Sequence, residues 1–259
     1  MKHLLILITI EILTIKVALA QKKTCGNIEY TITKNIAYLY QEQYVLTFND
    51  SVSYSEEVNI KTNKSKSIKT VNNDNVTTKI IGKRKNKTPK FCYNTSKGFF
   101  FSEILDGDVL IVKENKFAWK WNLHNETKKI GNFRCQKATI TFRGRHYTAW
   151  FTNEIPVRYG PWKFQGLSGL ILEVYDDNDF FHVTTTKINI GSVCPPIEFN
   201  TKHIENYLTI KEYLKKQKEI VKRIFARMSS KLPKGSKPFV LDEDCEDCTS
   251  KKIEIFKQK

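Results

Sequence analysis

The sequence predicts a mainly β protein: an antiparallel sheet followed by one amphipathic helix. Three observations carry this. Between Phe91 and Gly191, short runs rich in β-branched and aromatic residues follow one another, separated by Asp-Gly, Arg-Gly and Asp-Asp-Asn turn sequences. No helical period interrupts these runs, so the crossover helices that a parallel sheet needs are missing. After Thr209 the apolar spacing changes from two residues to three and four.

Taken in order, the chain opens with Met1-Lys2, a largely apolar stretch from Leu4 to Ile15, and the small-x-small triplet Ala18-Leu19-Ala20. That is the layout of a secretory signal peptide over residues 1–20. Glu11 and Lys16 break the apolar run and argue against a permanent span. Cys25 follows Lys22-Lys23-Thr24, which argues against a lipoprotein. The mature chain is therefore expected to begin at Gln21 and to be exported, whether periplasmic, outer-membrane associated or secreted. Asn27 to Lys34 alternates Ile28, Tyr30 and Ile32 with polar residues, as a strand does. Tyr44–Phe48 and Val52–Tyr54 flank Asn49-Asp50-Ser51 and form a hairpin. Residues 59–90 are rich in Lys, Asn, Ser and Thr and contain no aromatic, so they are expected to be a polar insertion or mobile loop within a β domain spanning 21–200. The remaining strands are expected at Phe99–Ile104, Val109–Lys113, Phe117–Trp121, Phe133–Phe142, Tyr147–Thr152, Leu170–Tyr175 and Phe180–Ile190. Thr209 and Glu212 form a capping box. Behind it Ile210, Tyr213, Leu214, Ile220, Val221, Ile224, Phe225 and Met228 make one apolar helix stripe, placing a helix within 201–235 that packs on the sheet, across its open side. A tail over 236–259 carries Cys245 and Cys248.

The formal charge of +16 invites a nucleic-acid partner, and its distribution argues against one. Residues 61–90 hold ten Lys/Arg and one acid, and residues 201–238 hold eleven Lys/Arg and three Glu, which leaves the rest of the chain near neutral. Only 7 of the 43 basic residues are Arg, the side chain suited to bidentate phosphate and base contacts. The six cysteines, Cys25, Cys92, Cys135, Cys194, Cys245 and Cys248, are disulfide candidates in an exported chain. Six cysteines allow 15 pairings, which spacing cannot resolve. Cys245-Glu246-Asp247-Cys248 is favoured as structural over redox or metal-binding, because Asp242, Glu243, Asp244, Glu246 and Asp247 crowd the thiols and oppose thiolate formation.

The most specific stretch is Gly160 to Tyr175, GPWKFQGLSGLILEVY. With Trp119-Lys120-Trp121, Lys128-Lys129-Ile130-Gly131, Cys135-Gln136-Lys137-Ala138, Phe142-Arg143-Gly144-Arg145 and Ala149 to Pro156, it resembles the GLPGLI family of Bacteroidota. The resemblance runs from about Tyr30 to Ile190. It places Gly160, Pro161, Trp162, Phe164, Gly166, Leu167, Gly169, Leu170 and Ile171 in the family motif, with Ser168 standing where the family has Pro. The resemblance implies an exported protein without an established activity, often encoded near outer-membrane TonB-dependent receptors. It also implies a curved, bowl-like or half-open antiparallel sheet. Residue by residue, the motif reads as a structural turn, with a ligand-contacting loop as the alternative: the glycines allow close approach, Pro161 stiffens, and Leu167, Leu170 and Leu172 enter the core. It lacks the pattern of a phosphate loop.

Other candidates are weaker. Trp119, Trp121, Trp150 and Trp162 are either packing or an aromatic wall for an apolar or sugar ligand, with Trp119 and Trp121 on one face of a strand. Arg143 and Arg145, on the same side of a strand, are either solvated or anion-binding. Glu154 and Glu173 are conceivable paired carboxylates. His124, His146, His182 and His203 have no metal spacing, and no nucleophile elbow is present, so neither metal nor cofactor is implied. The leading expectation is a non-enzymatic binding or carrier module of the cell envelope with an apolar ligand or an outer-membrane partner such as a TonB-dependent receptor. A surface-associated interaction protein, held to anionic envelope by its basic helix and loop, is the alternative. A hydrolase or thiol oxidoreductase is the third reading.

Overall fold

Alternation along β1 (Cys25–Asn35) decides which side of the sheet becomes core: Ile28, Tyr30 and Ile32 are buried, while Thr31 and Thr33 lie on the other face. The same choice repeats in β2 (Leu39–Phe48), where Glu42, Tyr44, Leu46 and Phe48 point inward. The structure is a computed structural model that describes residues 24–35, 39–58, 67–72, 75–80, 90–95, 98–115, 117–191, 194, 196–197, 199, 204–239 and 254–256. The expected signal peptide, His203, Cys245 and Cys248 lie outside the described residues.

The further strands are β3 (Ser53–Glu57), β4 (Ser67–Asn72), β5 (Asn75–Ile80), β6 (Phe91–Thr95), β7 (Gly98–Leu105), β8 (Asp108–Glu114), β9 (Asn122–Ile130), β10 (Phe133–Phe142), β11 (Arg145–Thr152), β12 (Leu170–Asp176), β13 (Phe181–Gly191) and the two-residue β14 (Leu208–Thr209). A single 12-stranded sheet runs β14-β8-β7-β6-β3-β2-β1-β13-β12-β11-β10-β9. It is mainly antiparallel and open, not closed into a barrel. Among the described residues only β14 pairs in parallel, along β8. β4 and β5 form a separate hairpin inside the polar segment that the sequence reads as loop. The turn chemistry is as expected: Asn49 Oδ1 accepts the Ser51 and Val52 amides at 2.9 and 3.0 Å. Asp106-Gly107 and Arg143-Gly144 are left-handed pairs that suit two-residue hairpins.

One expected strand is absent. Phe117–Trp121 runs as irregular chain, with Trp119 and Trp121 packed on the core and Phe117 left exposed. Trp119 and Trp121 still share a side, with rings stacked at 5.9 Å and 13°. The strand begins one residue later, at β9, where exposure on both faces leaves no alternation to read.

The helix α1 (Ile210–Ser229) starts as expected: Thr209 Oγ1 accepts the Glu212 amide at 3.3 Å, and Glu212 accepts the Thr209 amide at 2.8 Å. It covers one wing of the sheet rather than its whole opening. Tyr213 and Ile220 are buried against Phe101, Leu110 and Val112 of β7 and β8. Arg227 grips Asp106 at 2.6 and 3.0 Å, and Arg223 reaches Asp108 at 3.0 Å, so two helix cations are committed to the β7–β8 turn. The other wing, β1–β2 and β10–β13, is covered by residues 153–169. A disulfide joins Cys25 to Cys194 across 169 residues of sequence. Cys92 and Cys135 are buried free thiols, so the disulfide expected for them is replaced by burial. Among the described residues, no helix is long and apolar enough to cross a membrane.

Candidate functional site

Two groups of polar and aromatic side chains stand out, one inside the motif loop and one on the outer face of the sheet.

The inner group begins with the chain approaching β12. Ile155, Tyr159 and Pro161 carbonyls accept the amides of Leu170, Ile171 and Phe164 at 3.0, 3.2 and 3.1 Å, folding the motif back on itself. Gly169 is required by contact: a Cβ there would lie 1.9 Å from the Thr152 carbonyl oxygen, a backbone atom that cannot step aside. Trp162 is left-handed at φ 53°, a costly state for a bulky residue. Lys163 and Phe164 beyond it are both buried, at 3% and 1% exposure. Phe164 is the hub of the aromatic cluster, with Tyr147, Trp162, Trp119 and Trp121 rings at 4.9, 5.4, 5.7 and 6.2 Å. Trp121 Nε1 donates to the Gln165 carbonyl at 2.9 Å. The pocket beside it, lined by Ser55, Cys92, Trp162 and Gln165 among others, has space for about one water.

Lys163 is the unusual member. Its Nζ donates to Glu114 Oε2 at 2.9 Å and to both oxygens of Glu254 at 2.9 and 2.7 Å, and it lies 3.9 Å from the Phe101 ring centroid. Burial, which would lower its pKa, is outweighed by Glu254 and Glu114, which hold it above its ordinary value. Arg143 bonds Glu114 and lies 3.7 Å from Glu254. The expected Arg143–Arg145 pair on one strand face is not formed. Arg143 sits in the β10–β11 turn, whereas Arg145 is buried on β11, paired to Asp176 at 3.0 Å and lying over Phe180.

The outer group is built by register. Cross-strand partners across β10, β11, β12, β13, β1 and β2 are Thr139, Thr148, Tyr175, His182, Thr33 and Gln41. The neighbouring rung is Lys137, Trp150, Glu173, Thr184, Thr31 and Gln43. By register these side chains share the face opposite Tyr147, Ala149 and Val183, giving a six-strand ladder of hydroxyls, amides, charges and three aromatic rings, in which Thr139, Thr148 and Trp150 are themselves buried and Tyr175 packs against the core. Tyr175 and His182 meet edge-on at 5.4 Å, His182 Nε2 lies 2.9 Å from Glu173, and Gln41 donates to Thr33 at 3.2 Å. Lys128 of β9 bonds Glu173 and lies over Trp150 at 4.5 Å. Burial, tending to raise the Glu173 pKa, loses to His182 and Lys128, which hold it below the ordinary carboxylate range.

Trp150 stands in the outer rung by register, under Lys128, but is buried and counts with the core cluster on which Trp119, Trp121 and Trp162 pack. Glu154 accepts the Arg134 amide at 2.8 Å while Glu173 is bound to Lys128 and His182, so each expected carboxylate is engaged elsewhere. Ser168 is exposed, and its hydroxyl donates to Asn153 Oδ1 at 2.7 Å. Burial pushes the Cys92 thiol up to about 12 and the Cys135 thiol up to about 11, which keeps both protonated near neutrality. Among the described residues, no group of three or more His, Cys, Asp or Glu is placed to hold a metal ion. Sequence reasoning missed Lys163, Glu114 and Glu254, and of the outer ladder it offered only Trp150 and Glu173 as candidates, without their neighbours. The one available signal for the cluster was a lysine set between two aromatic residues, Trp162 and Phe164, in the motif.

Comparison with known proteins gives one family. Residues 28–213 match the family described as N-glycanase peptide, N-terminal domain. Two solved structures described as PNGF-II, in the P21 and C2 space groups, are 14% and 15% identical, with TM-scores of 0.49 and 0.47. They are matched over 77% and 78% of this chain, but over only 34% and 33% of theirs, so the chain spans about a third of their length. No curated protein matches.

Proposed function

The chain belongs to the N-glycanase peptide, N-terminal domain family, and from that premise we propose that it is a non-enzymatic binding module of the cell envelope that takes a carbohydrate on the outer face of the wing formed by β1–β2 and β10–β13. The observation that carries this reading is the contrast between the two sides of the sheet. The inner side is filled by its own aromatic cluster, with Phe164 at its centre, and leaves little room for the apolar ligand expected from sequence. The outer side offers Tyr175 and His182 flanked by Thr33, Thr184, Gln41 and Glu173. Sugars need that mixture of hydroxyl-matching donors and acceptors with ring faces for their apolar edges. The family's description as the N-terminal domain of an N-glycanase supports a glycan as the ligand class. Export fits the Cys25–Cys194 disulfide, a bond of oxidising compartments. In this proposal the GLPGLI-like motif fastens the scaffold and does not contact the ligand, and a TonB-dependent receptor would be a partner rather than the ligand.

The test is a thermal-shift and calorimetric panel of released N-glycans, simple oligosaccharides and lipids against the purified chain. A concentration-dependent rise in Tm with a glycan and none with lipids is expected. A rise with lipids alone would sink the proposal.

A further inference from the structure

We infer that the Arg143-Gly144 turn and the Lys163 side chain form a receptor site for a short extended peptide bearing a carboxylate and, two residues on, an aromatic ring, and that Glu254, Ile255 and Phe256 of this chain fill it in cis.

Three consecutive residues meet the site through three different chemistries. Glu254 takes two hydrogen bonds from the buried Lys163 ammonium, at 2.9 and 2.7 Å. The Ile255 amide donates to the Arg143 carbonyl at 2.9 Å, a strand-like rung laid on the turn. Its side chain rests where Gly144 has none: a Cβ on Gly144 would come within 2.9 Å of the Ile255 Cβ. The Phe256 ring lies over the Arg143 guanidinium at 4.3 Å. One strap residue is thus read by charge, the next by main chain and shape, the third by an aromatic face.

The charges explain why the site wants an acid. Lys163 and Arg143 share Glu114, so the site without the strap carries one positive charge in excess. Lys163 is 3% exposed, and a buried ammonium left with half a partner is costly. A single carboxylate brings the cluster to neutrality, and Glu254 supplies it. Main-chain pairing is indifferent to which chain provides it, so an equivalent segment of another molecule can take the same seat when the chain's own strap leaves. This site lies on the inner side and stands independently of any carbohydrate bound outside.

The experiment uses a synthetic peptide copying residues 252–259 and a chain truncated after residue 250. Calorimetry is expected to show the peptide binding the truncated chain and not the full chain, whose site is already filled. Replacing the peptide's Glu by Gln should weaken binding roughly tenfold or more, as loss of a charge-assisted bond does. A folded truncated chain that ignores the peptide, or binds both peptides equally, overturns the inference. Should truncation prevent folding, full-length chain carrying Glu254→Gln and Phe256→Ala decides: the wild-type peptide must raise its Tm and leave that of the unmodified chain unchanged. Absence of that rise overturns the inference as well.

Discussion

Replacing Lys163 by Met keeps the length and apolar stem of the side chain and removes only the ammonium. It leaves Glu114 and Glu254 facing each other with Arg143 as their one cation. Breaking a buried pair by deleting one partner costs about 3–5 kcal/mol, because the remaining charge keeps its desolvation penalty. For a domain near 200 residues each kcal/mol lowers Tm by about 2–4 °C, so a fall of roughly 6–20 °C is expected at pH 7. The pH dependence fixes the cause. The Glu254 carboxyl is raised already, chiefly by burial, and losing Lys163 raises it further. A group raised in the folded state supports folding below its unfolded pKa and loses that support as pH rises. The deficit of the variant must therefore be larger at pH 7 than at pH 4. Urea unfolding followed by tryptophan fluorescence at both values measures it. A second variant, Lys163→Met with Glu254→Met, should recover part of the loss, since an apolar pair replaces an orphaned charge. A deficit under about 1 kcal/mol, or one that grows at pH 4, would refute the reasoning.

Two further outcomes follow from local geometry. Glu42 lies buried between Lys34 at 2.7 Å and Lys90 at 3.0 Å; burial raises its carboxyl, but the two lysines outweigh it and hold the pKa at about 2 against an ordinary 4.5. A lowered carboxylate contributes stability that is present above pH 4.5 and lost as pH falls towards 2, about 3 kcal/mol here, and Glu42→Gln should flatten that part of an acid-unfolding curve. Gly169→Ala should destabilise by about 2–3 kcal/mol in chemical denaturation, since its Cβ would fall 1.9 Å from the Thr152 carbonyl oxygen, while Ser168→Ala beside it loses only an exposed hydroxyl bond.

The β character was legible because period-two alternation survives wherever one face is buried, as in Ile28-Tyr30-Ile32 and Leu172-Val174-Asp176. The helix was legible because a capping box precedes a continuous stripe. β9 was not: with both faces exposed, Asn122–Ile130 has no pattern to show. Phe117–Trp121 misled for the opposite reason, since aromatic density signals burial and says nothing of whether the backbone pairs. The site was hardest, because it is made by register and distance. Thr33, Tyr175 and His182 come from three strands and line up only once β1, β12 and β13 are side by side. Glu254 reaches Lys163 across 91 residues, a meeting that no local spacing encodes.

The central claim is that the outer face of the sheet binds carbohydrate. It is tested most directly by measuring the affinity of an N-glycan for the unmodified chain, for Tyr175→Ala with His182→Ala, and for Lys163→Met as a control on the inner side. Loss of binding in the outer-face variant at nearly unchanged Tm, with binding kept by the folded control, is the expected result. Full affinity in the outer-face variant would contradict the account.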